Sequence, residues 1–183
     1  RDFSRLATRA GPENARASAL LLLSLPGPVF MFQGDELGMP DARVAGASQD
    51  RYGRDAFRVP MLWDDSAHSG FSSSTPWLRR AGGQDVLSVA AQDPEPDSML
   101  SLTRRALALR RGMSGDAQLL GSPPQTIVLA RGGHVIAVNL GDEPQPAPVI
   151  TSARVALEAR PGDGRDLDVI PAHGGWIARA GEP

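Results

Sequence analysis

Two carboxylates stand side by side in the stretch "PVFMFQGDELGMPD", residues 28–41, where Asp35 and Glu36 close an apolar run. Two acids can share general acid/base work when both reach one bond. Side chains of adjacent residues in an extended segment point to opposite faces, so this pair is poorly placed for that task. The other chemistry-bearing types are soon counted. His68, His134 and His173 are scattered too widely for a metal-ligand cluster, so no metal site is expected, and His134 and His173 read as structural or surface residues. The chain has no cysteine, which excludes disulfides and thiolate ligands. All 19 basic residues are arginine, so Schiff-base lysine chemistry and a phosphate-loop lysine are excluded as well. "QGDELG" lacks the glycine spacing of a phosphate loop, and no nucleophile elbow of the GxSxG type occurs. No cofactor is expected. What remains is a polar loop over residues 33–92, rich in Gly, Pro, Ser, Asp and Arg. It is interleaved with Tyr52, Phe57, Trp63, Phe71 and Trp77. Aromatic faces for CH groups and Arg, Asp and Gln for hydroxyls suit a sugar.

Such a loop needs elements to hold it. Residues 12–24 read as a helix, with Pro12 in the first turn, Glu13 at the positive end of the dipole and a buried C-terminal half. "PGP" ends it, and "VFMF", residues 29–32, reads as a short strand buried on both faces. A helix feeding such a strand is half of a βαβ unit. The long loop then leaves the C-terminal end of that strand, the ligand-binding face of α/β folds. Five aromatics in it argue for an ordered excursion. "DSMLSLTRRALALRRG" predicts a second helix, with Asp97 as N-cap, Gly112 as stop and Met99, Leu102, Ala106 and Leu109 as its apolar stripe. Its clustered arginines read as a solvated face. Beyond residue 120 the period becomes two, and residues 122–183 read as a small antiparallel β-domain with a hairpin turn at Gly132-Gly133.

Composition sets the outer limits. Hydrophobic residues are 41% and charged residues 22% of 183, a globular balance. A net charge of −2 without a basic block excludes nucleic acid and anionic membrane surfaces as expected partners. The run "ALLLLSLPGPVFMF" is too interrupted for a membrane span. No signal peptide is visible, and a cytoplasmic location is expected. The chain starts at Arg1 in mid-pattern, so an N-terminal portion is expected to be missing.

Four ordered stretches carry a family resemblance. "RDFSRLATR" resembles the "NHDxxRxxxR" segment that ends the seventh barrel strand in the α-amylase family of glycoside hydrolases (family 13). "LLLLSLPGPVFMFQGDELGMPD" resembles the following helix and eighth strand, "LPGTPxxYQGEELGM". "GRDAFRVPMLWDDSAHSGFSSSTPWL" resembles the "GRDxxRTPMQWD…AGFS…PWL" of the α-glucosidase and oligo-1,6-glucosidase branch. "QDPEPDSMLSLTRRALALRR" resembles that branch's "QxxDPxSxLxxYRxLIxLRR". The resemblance runs from residue 1 to about residue 111 and implies an α/β fold: the C-terminal portion of a (β/α)8 barrel followed by a small antiparallel β-sandwich domain. Residues 1–115 would be the end of the catalytic barrel (helix 7, strand 8, the long loop and helix 8), and 122–183 the β-domain.

The resemblance also implies retaining hydrolysis by three acids. A nucleophilic Asp and an acid/base Glu would lie upstream of residue 1. Asp2 would be the third acid, stabilising the oxocarbenium-like transition state through the sugar's 2- and 3-hydroxyls. Arg1 stands where the family has His before that Asp; it would bind substrate by donating to the same hydroxyls, though not with the same reach, the other reading being that the first residue is a boundary feature and not a replacement. Arg54 matches an arginine near the +1 sugar; an ion pair with Asp50 or Asp55 that braces the loop is the other reading. Gln33, Asp35 and Glu36 would satisfy backbone and Arg partners at the rim. Arg5 would brace the end of strand seven, Arg58 with Pro60 would fix the loop backbone, and Trp63 and Trp77 would anchor its packing. The expected substrates are short α-linked glucosides of maltose, isomaltose or sucrose type. Trehalose synthases, sucrose isomerases, trehalose-6-phosphate hydrolases and non-catalytic amylase-like interaction domains are the alternatives. Alone, residues 1–183 are expected to be inactive and to need the rest of the barrel, because two barrel units leave an open sheet edge.

Overall fold

The computed structural model describes residues 3–43, 48–148, 150, 153–179 and 181. Among the described residues five α-helices come first: α1 (Leu6–Ala10), α2 (Ala15–Ser24), α3 (Gln84–Leu87), α4 (Val89–Gln92) and α5 (Met99–Arg110). Seven strands follow: β1 (Gln118–Gly121), β2 (Thr126–Arg131), β3 (His134–Asn139), β4 (Gln145–Pro146), β5 (Arg154–Glu158), β6 (Val169–Ile170) and β7 (Gly175–Arg179). The chain divides into two compact units, residues 1–15 with 30–101, and residues 16–29 with 102–183. No described helix is long and apolar enough to cross a membrane.

The second unit carries the sheet. Its order is β1-β2-β3-β7-β5, antiparallel throughout, with a separate β4-β6 ribbon. Gly132 and Gly133, both at positive φ, form the predicted two-residue turn between Arg131 and His134. Alternation puts Val128, Val135, Ala137, Trp176 and Ala178 on one face, where they pack with Ile170 of β6. The Trp176 indole donates to the Val169 carbonyl at 3.1 Å, so the ribbon is pinned across that core. The intervening positions Leu129, Ile136, Val138 and Ile177 are buried too, so β3 has no solvated face. Arginines join α2 and α5 to this unit. Arg131 donates to the carbonyls of Ser24 (2.9 Å) and Leu25 (3.0 Å), beyond the end of α2. Arg110 donates to those of Leu23, Leu25 and Gly27, and Arg16 to that of Ala159. The arginine face expected to be solvated thus includes one member, Arg110, that stops helix α2. Strand β1, with Leu119 and Leu120 exposed, lies outside the predicted domain because its residues do not alternate.

The first unit is the long loop, and it is ordered around its own core. Leu37, Met39, Val59, Met61, Leu62, Leu78, Ala81 and Leu100 are buried together. Gln92, itself buried, donates to the Leu37 carbonyl at 2.9 Å and accepts from the Leu100 amide at 2.9 Å, tying the loop's start to α5. Three sequence expectations change here. Ser98, not Asp97, caps α5: its hydroxyl accepts from the Ser101 amide at 3.1 Å and donates to the Gln92 carbonyl at 2.8 Å. Trp63 and Trp77 are not packing anchors; they are 50% and 70% exposed, because aliphatic side chains fill that core. The stretch expected to be a buried strand, residues 29–32, has no ladder among the described residues, and Phe30 is 87% exposed. Strand identity is a property of a pair, and no described segment lies beside this one to complete it.

Candidate active site

Arg1 and Asp2, the two site residues expected at the very start, lie outside the described residues. The residues just after them are fixed in detail. Arg5 is fully buried. Its Nε donates to the Gln33 carbonyl at 3.0 Å and its Nη1 to the Pro40 carbonyl at 3.4 Å. The guanidinium lies 5.5 Å from the Phe32 ring centroid and 4.0 Å from the Asp41 carboxylate. The backbone is stitched in parallel. Asp41 accepts from the Arg5 amide at 3.0 Å, Asp35 from the Leu6 amide at 2.8 Å, and the Thr8 hydroxyl from the Asp41 amide at 2.7 Å. Arg5 therefore braces the chain that follows Asp2 against residues 32–41. Burial lowers its pKa from the ordinary arginine value, opposed by Asp41, Asp35 and Glu36. Close approach also dictates Gly34, at φ +92°: a Cβ there would lie 2.8 Å from the Arg5 Nε.

The opening acid pair is thereby accounted for. Asp35 accepts from the Leu6 and Phe32 amides, and Glu36 from the Gly34 amide at 2.8 Å. Glu36 sits in a short 3-10 turn, Asp35–Leu37, where burial raises its pKa. The Gln33 side chain donates to the Val59 carbonyl at 3.2 Å. All three residues hold the rim, as their positions in the sequence suggested.

A second hub holds the "GRDAFR" stretch. Arg54 forks onto Asp50, with Nε–Oδ2 and Nη2–Oδ1 both 2.8 Å. Asp50 also accepts from the backbone amides of Tyr52 and Arg54, and Arg58 approaches it at 3.6 Å. The Tyr52 ring lies 4.7 Å from the guanidinium carbons of both Arg51 and Arg54. The Arg54 hydrogen bond, first among the causes, holds the Asp50 carboxyl well below the usual carboxylate range. Asp55 faces the other way. Burial raises its pKa, but hydrogen bonds from Ser48 and the amides of Gln49 and Asp50 outweigh this and leave it lowered.

Between these hubs lies a cleft of about 280 Å³ lined by Phe32, Gln33, Arg58, Val59 and Phe71. Phe32 packs edge-on to Phe57 at 6.3 Å, and Phe71 is half-exposed. An aromatic wall beside an amide and a guanidinium is the environment a sugar ring uses. Sequence reasoning named Phe71 among five loop aromatics that suit a sugar, without selecting it over the others, and did not name Phe32. The available signals were the position of Phe32 at the end of the apolar run and of Phe71 inside the "GFS" motif.

An ordered loop unit, an antiparallel sheet and a polar cleft with an aromatic wall are the features to set beside known proteins. Residues 1–115 match the family described as alpha amylase, catalytic domain, and residues 113–176 a domain of unknown function, DUF3459; the chain belongs to the alpha-amylase family. A probable alpha-glucosidase of Rhizobium meliloti is 38% identical over 123 residues, 61% of this chain and 22% of the relative. The amino acid transporter heavy chain SLC3A1 of Rattus norvegicus is 34% identical over 121 residues, 61% of this chain and 18% of the relative. A trehalulose synthase mutant in complex with Tris superposes with a TM-score of 0.81 at 19% identity, over 98% of this chain and 42% of that one. The chain spans about a fifth of the length of these curated relatives. Its fold is the C-terminal portion of a (β/α)8 barrel with the antiparallel domain that follows.

Proposed function

We propose that this chain is the C-terminal part of a retaining, exo-acting α-glucosidase that hydrolyses short α-linked glucosides. The observation that supports the reading is the brace around Arg5, Asp35 and Asp41, which ties the chain that follows Asp2 to Phe32 and Gln33, two of the residues that line the cleft. Asp2 serves as the acid that stabilises the oxocarbenium-like transition state. Two further acids, a nucleophile and an acid/base, complete the double displacement. Arg1 donates to the same sugar hydroxyls. In this reading Arg54, which forks onto Asp50, also contacts the +1 sugar, so bracing and substrate contact are one role. The relative named as an alpha-glucosidase supports hydrolysis. The relative named as a transporter heavy chain supports a second reading, an amylase-like interaction domain without turnover.

Asp2→Asn in the full-length protein separates the two. The enzyme reading expects kcat on an aryl α-glucoside to fall by about 10³-fold or more, with the melting temperature unchanged. An unchanged kcat removes Asp2 from the site, and no turnover by the unaltered full-length protein favours the interaction domain.

A further inference from the structure

A second cavity lies in the first unit, on the turn-rich stretch 66–80, and shares no lining residue with the cleft above. Its volume is about 360 Å³, the size range of small-molecule sites. Leu78, buried, and Pro76 give it an apolar wall. Its polar groups are Thr75, His68, Arg79 and Arg80, and no carboxylate lines it. Arg80 is held in place: its Nη1 donates to the carbonyls of Ser66 (3.0 Å) and Ala67 (3.2 Å) and to the Ser69 hydroxyl (3.2 Å). These bonds engage one nitrogen and leave Nε and Nη2 without a partner among the described residues. Arg79 has no ion pair and no hydrogen bond there, and the His68 ring has none either.

The anchored Arg80 guanidinium, the exposed Arg79 guanidinium and the His68 imidazole line one cavity that no carboxylate lines. A guanidinium meets a tetrahedral oxyanion with two parallel N–H donors, which a neutral hydroxyl cannot match. We infer that the cavity of His68, Arg79 and Arg80 binds a phosphate group, carried on a small molecule whose apolar face lies against Pro76 and Leu78. A sugar phosphate has both parts; free inorganic phosphate has only the first.

Titration calorimetry on the full-length protein tests this with three probes: glucose 6-phosphate, inorganic phosphate and glucose. Glucose 6-phosphate is expected to bind at least about tenfold more tightly than glucose and to weaken with added salt. Inorganic phosphate weaker than glucose 6-phosphate assigns the site to the ester; equal affinity assigns it to the free anion. Arg79→Gln removes an exposed side chain without structural contacts, so it is expected to leave the melting temperature unchanged while weakening phosphate binding about tenfold or more. His68→Gln provides a second variant with the same expected direction. Glucose binding as tightly as glucose 6-phosphate overturns the proposal, as does absent phosphate binding or an Arg79→Gln affinity equal to the parent's. Arg79 does not line the Phe32 cleft, so sugar bound there is unaffected by Arg79→Gln, and the loss in that variant separates this site from the glucosidase reading.

Discussion

Glu36 shows how a single side chain at the rim trades one requirement against another. It accepts from the Gly34 amide, which keeps the tight turn closed, yet burial raises its pKa. A raised carboxyl pKa means that the folded state holds its proton to higher pH than the unfolded state does. Stability from this group is therefore full below the ordinary value of 4.5 and declines as pH rises through the raised one. Glu36→Gln keeps an acceptor for Gly34 and cannot ionise. It is expected to raise the melting temperature at pH 7 and to leave it unchanged near pH 4, as measured by calorimetry across that range. Asp50 has the opposite sign. The Arg54 fork lowers its pKa, so its contribution is present above the ordinary 3.8 and is lost as pH falls below it. Arg54→Lys keeps the charge and loses the fork. It is expected to raise KM for a disaccharide more than about tenfold with kcat changed less, a split that a purely bracing role would not give.

At the scale of elements, local chemistry decided where sequence reasoning succeeded. The hairpin at Gly132-Gly133 was legible because two adjacent positive-φ positions have few other solutions. The α5 helix was legible from its apolar stripe, but its cap was not. Asp97 and Ser98 are both good caps, and only the Gln92 carbonyl, which takes the Ser98 hydroxyl, selects between them. Ser98→Ala is expected to cost about 1 kcal/mol in urea unfolding, whereas Asp97→Ala is expected to cost less than half of that. Packing of β3 against β7 sets a stricter demand. A Cβ on Gly175 would lie 2.4 Å from the Ala137 carbonyl oxygen and 3.0 Å from the Val138 Cα, both backbone atoms that cannot step aside. Gly175→Ala is expected to destabilise the sheet by about 1–3 kcal/mol, measured by the same unfolding.

At the scale of the molecule, the segment 29–32 separates what one chain specifies from what a neighbour must supply. Its composition reads as a buried strand, and the family resemblance implies the eighth barrel strand there. Yet residues 29–31 make no backbone hydrogen bond among the described residues, and Phe30 stands in solvent. The physical reason is that strand ladders are intersegment bonds, while helices and two-residue turns close within themselves. The same distinction explains why the long loop was legible as ordered while its site was not. Aromatic content marks order, but the Arg5 brace joins positions 28 and 35 residues apart, which no local pattern encodes. Hydrogen exchange tests the strand directly. In residues 1–183 alone, the amides of residues 29–31 are expected to exchange at rates near those of an unstructured peptide, while those of β3 are protected. In the full-length protein, pairing with neighbouring barrel strands is expected to bring residues 29–31 to the protection of β3. If they exchange freely there as well, residues 29–32 are not the eighth barrel strand, and the cleft beside Phe32 loses the wall that the proposed sugar site requires.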